Sequence, residues 1–391
     1  MSYFFFVVIY ILSHEYIEIM ISIYDVIIIW AGPAGLWLWK KLQELGINYV
    51  ILEKDTIWSS FLNWNNKTKF ITPSFPGNAF WNVDLNSIDY SSSPGLFQWK
   101  EHLNWLEYSA YLKDFYTKHK LNIHIDQEVL EIKKINDIFT IFTKKHKYFS
   151  KYICCAMWEF NAPNFWNIIG SDLSIHSSEI KNYDYFKYIY WKIPIIGWYE
   201  SAIDLAYNLV KLWKEVSIFS RNEIDNFQSS DPSKVLSLIS MEKLRTIQQS
   251  PLFSFTKDTL TSLSYVDENY ILSSQNNTYN FWNKPIFATG FRSSFKPLWN
   301  LVSYRNDGYP EVNNFDELKH TKWIFMSGPI IRHEELIFCF IYKFRQRFWI
   351  IALEIAKRLW TNLEYELIKK KWKKEWFYLD NLSHCWDECI C

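Results

Sequence analysis

The chain has 391 residues, enough for two domains that each bury a core. Its 42 Lys+Arg balance 42 Asp+Glu, a formal charge of +0, so no basic field exists to hold a nucleic-acid backbone. One proportion is inverted: 10 Gly stand beside 21 Trp, where average usage of roughly 7% would give about 27 Gly.

The stretch Tyr3-Phe4-Phe5-Phe6-Val7-Val8-Ile9-Tyr10-Ile11-Leu12 is apolar but too short to span a bilayer, and it lacks a basic flank. Neither a transmembrane helix nor a signal peptide is expected. Residues 1–19 read as an extension ahead of a domain beginning near Met20, with a peripheral anchor as the alternative. A cytoplasmic protein without stable membrane insertion is expected.

Asp25–Ile29 reads as a buried strand, followed by Trp30-Ala31-Gly32-Pro33-Ala34-Gly35. This is a dinucleotide fingerprint, G-x-G-x-x-G, with Trp30 in place of its first glycine. The next helix places Leu38, Leu42 and Leu45 on one face, Gly46 ends it, and the strand Ile47–Leu52 closes on Glu53. In such a unit Gly32 admits a pyrophosphate, Gly35 lets helix and strand pack, and the helix N-terminus faces the phosphates. A carboxylate at Glu53 suits the ribose hydroxyls of an adenosine.

Further on, Tyr152-Ile153-Cys154-Cys155-Ala156-Met157-Trp158 reads as a strand with an Ala-Thr-Gly-like ending. A second βαβ unit begins with the strand Ile193–Ile196 and the turn Gly197-Trp198-Tyr199-Glu200-Ser201-Ala202. Tyr199 stands at its second glycine position, and a plain crossover is the bland alternative. Lys214–Phe219 reads as the next strand, ending in Ser220-Arg221. An arginine there suits a 2′-phosphate, which favours NADPH over NADH. Ile286-Phe287-Ala288-Thr289-Gly290-Phe291 repeats the strand-to-glycine ending intact, and Ile324–Pro329 with the helix Phe344–Leu359 reads as the return to the first unit.

Six cysteines are present, and none forms a Cys-x-x-Cys pair. Cys154 and Cys155 read as inert core residues. The tail carries Cys385, Cys389 and Cys391 beside His384, candidates for redox exchange or a soft metal, with an idle terminus as the alternative. His333-Glu334-Glu335 is not a metal motif, because H-E-x-x-H needs histidine where Ile337 stands.

The tryptophans stand at turns and helix exits, among them Trp30, Trp191 and Trp213, where glycine is the cheap residue. This predicts that UGA is read as glycine in the source genome, as in some bacterial lineages, and is written here as tryptophan. The alternative is a chain truly rich in indole; Trp64 is the best candidate for a genuine tryptophan.

On these motifs the chain resembles the two-dinucleotide-binding-domain flavoproteins, and more narrowly the bacterial relatives of class B flavin monooxygenases and pyridine nucleotide-disulfide oxidoreductases. Phe70-Ile71-Thr72-Pro73-Ser74-Phe75-Pro76 resembles the loop beside the flavin ring, and Gly170 with His176-Ser177 resembles a stretch between the two domains. The resemblance implies an α/β fold of two Rossmann-like domains, the NADPH domain inserted into the FAD domain. The expected boundaries are 20–158, 159–285 and 286–370, with a tail over 371–391. It implies FAD and NADPH as cofactors. Candidate contacts are Trp30, Gly32, Pro33, Ala34, Gly35, Glu53, Lys54, Thr72, Val129, Thr289, Gly290 and Gly328, together with Gly197, Trp198, Glu200, Ser201, Ser220 and Arg221. His176 is the candidate catalytic side chain, a structural histidine being the alternative. The implied activity is hydride transfer from NADPH to FAD, followed by oxygenation with O2 of a small soft nucleophile or carbonyl. The alternatives are a flavin-linked disulfide reductase using the tail cysteines, and an inactive nucleotide-binding redox sensor.

Overall fold

The computed structural model describes residues 4–8, 18–75, 83–157, 162–223, 229, 231–292, 296–298, 300–375 and 378–382. Two of its sheets have parallel centres, the first carrying antiparallel strands at its edge, and the second is inserted between strands of the first. In the first sheet, strand β1 (Glu18–Ile29) lies between β2 (Tyr49–Leu52) and β3 (Lys147–Cys155), with Ile29 level with both Leu52 and Cys155. Val26, Ile27 and Ile28 are fully buried, as an unbroken β-branched run requires when helices cover both faces. Helix α1 (Pro33–Glu44) crosses from β1 to β2, and its expected face is buried at Leu38, Leu42 and Leu45. Phe4–Val8 pairs antiparallel with Glu18–Ser22, so the first strand begins ahead of the expected start at Met20.

The chain then leaves for a second sheet. Strand β4 (Ile193–Ile196), helix α2 (Glu200–Lys211) and strand β5 (Val216–Ser220) form its central unit, and helix α3 (Leu238–Gln248) packs against α2. Ala202, Ile203, Ala206 and Leu209 line the buried side of α2. Strand β6 (Ile286–Phe287) pairs parallel with β4 at Ile195 and Ile196. Strand β6, expected to open the return to the first unit, lies in the second sheet, its ladder bonds going to β4. The first sheet resumes only at β7 (Ile324–Met326), which pairs with β3 from Ile153 to Cys155. Helix α4 (Phe348–Arg358) then covers α1, with the rings of Trp37 and Phe348 5.3 Å apart.

Among the described residues, fourteen non-glycine residues have positive φ, and seven are tryptophans: Trp30 (84°), Trp58 (69°), Trp99 (50°), Trp166 (51°), Trp213 (60°), Trp323 (77°) and Trp360 (54°). The others are Asp, Asn, Glu or Lys. Left-handed backbone drives Cβ toward a carbonyl oxygen at roughly 1–2 kcal/mol per residue. Seven indoles so placed cost an amount on the order of a domain's whole net stability of about 5–15 kcal/mol. Trp191 and Trp198, suspected on the same grounds, do not have positive φ. Among the described residues, no helix is long and apolar enough to cross a membrane.

Candidate dinucleotide-binding cleft

The turn from β1 to α1 is held by the first-unit carboxylate. Glu53, 4% exposed, accepts the Ala31 N–H at 2.8 Å on one oxygen and the Asp55 N–H at 3.0 Å on the other. Burial raises the Glu53 carboxyl above the usual range, against the lowering pull of those two amides. Gly32 caps α1, Pro33 occupies its first turn, and a Cβ on Gly32 would meet only open space. A Cβ on Gly35 would lie 2.0 Å from the Trp30 carbonyl oxygen, so helix and turn touch there. On Gly328, at φ 96°, it would press Ala34 at 3.1 Å. The α1 N-terminus beside Gly32 and Ala34 thus offers backbone donors of the kind that suit a diphosphate. One group does not fit. The Trp30 indole faces the same cavity, and the Lys54 ammonium stands 5.4 Å from its centroid.

A cavity of about 510 Å³ runs from this turn to the second domain. Trp30, Gly32, Pro33, Ala34, Glu53, Lys54 and Thr72 line its first side, with Tyr199, Glu200 and Ser201 opposite. Phe61, Trp64 and Phe70 form an aromatic wall between them, ring centroids 5.2 to 5.7 Å apart. Tyr199, at the second glycine position, donates its hydroxyl to the Val235 carbonyl at 2.5 Å. Glu200 accepts from Ser237 N–H at 2.6 Å and from the Ser240 hydroxyl, so its carboxylate ties α2 to α3. Gly197, at φ 119°, sits where a Cβ would meet the Ala288 oxygen at 2.3 Å. Trp198 packs partly buried beside Tyr199.

A second cavity, about 860 Å³, opens at the end of β5 and is lined by Ser220 and Arg221. The Arg221 guanidinium lies 4.7 Å from the Trp166 ring centroid. The structure thus gathers nine of the expected contacts at the first cavity and two at the second. Gly35, Gly197 and Gly328 shape turns behind them. Val129, Trp198, Thr289 and Gly290 line neither cavity: Val129 is buried in an outer antiparallel strand, and Thr289 donates to the Asn164 carbonyl.

His176 is buried, with Nε2 3.0 Å from the Gly290 oxygen and Nδ1 2.8 Å from Ser178 Oγ. Burial lowers its pKa, and its ring packs on Phe165 and Phe291. Both nitrogens are engaged, Nε2 with the Gly290 oxygen, and it lines neither cavity. Cys154 and Cys155 are fully buried, and burial pushes both thiols up. Trp158, Pro76 and the tail cysteines Cys385, Cys389 and Cys391 lie outside the described residues.

Three lining groups, Thr68, Lys243 and Cys339, carried no sequence signal. Lys243 on α3 reaches the cleft and pairs with Asp204 at 2.5 Å, and Thr68 from the first domain donates to the same carboxylate at 3.4 Å. Lys343, 1% exposed, pairs across the domains with Asp231 at 2.8 Å. Cys339, an exposed free cysteine, lines the cleft near Ser233.

A family model described as pyridine nucleotide-disulphide oxidoreductase matches residues 27–328. The chain belongs to this family. Membership implies a flavin-dependent oxidoreductase that uses a nicotinamide nucleotide. The chain is 24% identical to the bacilliredoxin reductase Bdr of Bacillus subtilis over 339 residues, 85% of this chain and 97% of that one. It is 28% identical to an uncharacterized oxidoreductase, CzcO, of the same organism over 196 residues, and this match spans about half of each, 48% and 52%. Among solved structures, the bacillithiol disulfide reductase Bdr (YpdA) of Staphylococcus aureus superposes with a TM-score of 0.71 at 21% identity, covering 86% of this chain and 98% of its own. A flavin-containing monooxygenase from Stenotrophomonas maltophilia gives 0.67 at 13%, covering 86% and 99%. At these identities the likeness is one of fold.

Proposed function

We propose that this chain binds FAD in the first-domain cradle and NADPH against the second domain, and passes reducing equivalents to a small oxidised acceptor of the disulfide class. The observation that carries the reading is the single cavity lined by Gly32, Pro33 and Ala34 on one side and Tyr199, Glu200 and Ser201 on the other. A flavin supplies two-electron exchange with a nicotinamide when bound. The chain's own residues do the rest. Gly32 and the α1 N-terminus hold the diphosphate, and Glu53 fixes that turn and presents its buried edge to the adenosine ribose. Phe61, Trp64 and Phe70 keep water from the cleft. Arg221 answers a 2′-phosphate with a charge no NADH could use. The match to Bdr along 97% of its length supports the disulfide acceptor.

Oxygenation is the second reading, favoured by one observation: no Cys-x-x-Cys pair occurs in the sequence. One assay separates the two. NADPH oxidation by the flavin-loaded protein is followed anaerobically with a low-molecular-weight disulfide, then aerobically without it. Turnover in the first arm supports the reductase. Oxidation only in air, with an oxygenated product, replaces it with the monooxygenase.

A further inference from the structure

Each candidate elsewhere in the molecule yields to one pattern that runs through it. Sixteen tryptophans lie among the described residues and seven have left-handed backbone. The remaining positive-φ side chains are the short or flexible polar ones that tolerate it, whereas a bulky residue there is an outlier. An indole gains nothing in return at three of the seven: Trp99, Trp213 and Trp360 are 80%, 85% and 93% exposed. All three close helices. Trp99 and Lys120 adopt the same left-handed cap, while Trp213 and Trp360 each donate their N–H back into the last turn, at 2.9 Å to Val210 and 3.1 Å to Lys357. That position takes glycine in ordinary helices. Trp30 holds the fingerprint's first glycine position, with its indole in the diphosphate space.

We infer that Trp30, Trp58, Trp99, Trp166, Trp213, Trp323 and Trp360 are glycine in the polypeptide made by the source cell, read there from UGA, and that Trp64 is tryptophan. The contrast with Trp64 comes from its setting. Its backbone is not left-handed, and its ring packs against Phe61 at 5.2 Å and Phe70 at 5.3 Å in the cleft wall. Glycine at 30 opens the cradle in front of Gly32 without moving the turn, because Trp30 N–H still donates to the Leu52 oxygen at 2.9 Å. Backbone geometry carries this inference, not the proposed reaction, so the two can fail apart.

The test reads codons and native peptides. UGA is expected beneath all seven and UGG beneath Trp64, and tryptic peptides from source cells should be lighter by one indole side chain at each of the seven. UGG at these seven positions, or indole in the native peptides, overturns the inference. A recombinant comparison gives an independent readout. The chain with all seven changed, Trp30→Gly through Trp360→Gly, should unfold at a higher temperature than the chain as written and retain at least tenfold more FAD after gel filtration. Trp64→Gly in that background should lower the unfolding temperature. An equally stable, equally yellow chain as written overturns the inference. UGA codons with a well-folded glycine form that holds no flavin leave the inference standing and sink the proposed function instead.

Discussion

In the proposed reading Arg221 and Glu53 each serve the adenosine ribose of one nucleotide, and each makes a sharp prediction. Arg221 is exposed at the end of β5, and a charge-assisted bond to phosphate is worth about 1.5–3 kcal/mol. Arg221→Ala should therefore raise KM for NADPH by about tenfold or more and leave KM for NADH unchanged, as steady-state kinetics with both would show. In Glu53→Gln an amide donor must face the N–H of Ala31 or Asp55, which now both donate to carboxylate oxygens. A loss of about 1–3 kcal/mol is expected, read as lower thermal stability with weaker flavin retention.

At the scale of elements, the return strand β7 depends on a buried ionic cluster. Asp316 is fully buried and accepts from Arg347 Nε at 2.9 Å and from His333 Nε2 at 2.5 Å, while its carbonyl receives the Met326 N–H at 2.7 Å. Burial alone would raise the Asp316 carboxyl; the Arg347 and His333 charges outweigh it and hold it below the usual range. A depressed carboxylate stabilises the fold above its unfolded value, near 3.8, and that contribution fades as pH falls through its folded value. Glu53 has the opposite sign: its raised carboxyl favours folding more as pH falls. Asp316→Asn should cost about 3–5 kcal/mol at neutral pH, with the gap to wild type closing on acidification below about pH 4; urea melts across pH would show it. The turn into α2 is equally specified. Gly197→Ala places a methyl 2.3 Å from the Ala288 oxygen at φ 119°, so roughly 1–3 kcal/mol should be lost together with reduction by NADPH.

At the scale of the whole molecule, Lys343 and Asp231 form an ion pair across the domains at 2.8 Å, their side chains 1% and 11% exposed. Lys343→Met leaves the Asp231 carboxylate short of its partner, at a cost of about 3 kcal/mol. Flavin reduction should slow with it, measurable in a stopped-flow experiment. The two nucleotide units were legible because each is local: strand, turn, helix and terminal charge lie within a few dozen residues, as at Asp25 to Glu53 and Ile193 to Arg221. What the sequence hid is what the insertion brings together. Lys243 reaches the cleft from a helix with no fingerprint of its own, and β6 reads as a return to the first sheet until its ladder partners are known. His176 illustrates the same limit, since its hydrogen-bond partner Gly290 lies 114 residues away.

Three of the left-handed indoles, at 99, 213 and 360, stand almost bare to solvent at widely separated helix ends. A host that decodes the gene by the standard table, and reads through rather than stopping, would make a molecule studded with greasy points on otherwise polar ground. Such a preparation should cling to columns and to itself, and its fluorescence should be dominated by water-exposed emitters. Colourless, sticky material from a laboratory strain would then be a fault of the decoding host and not of the fold.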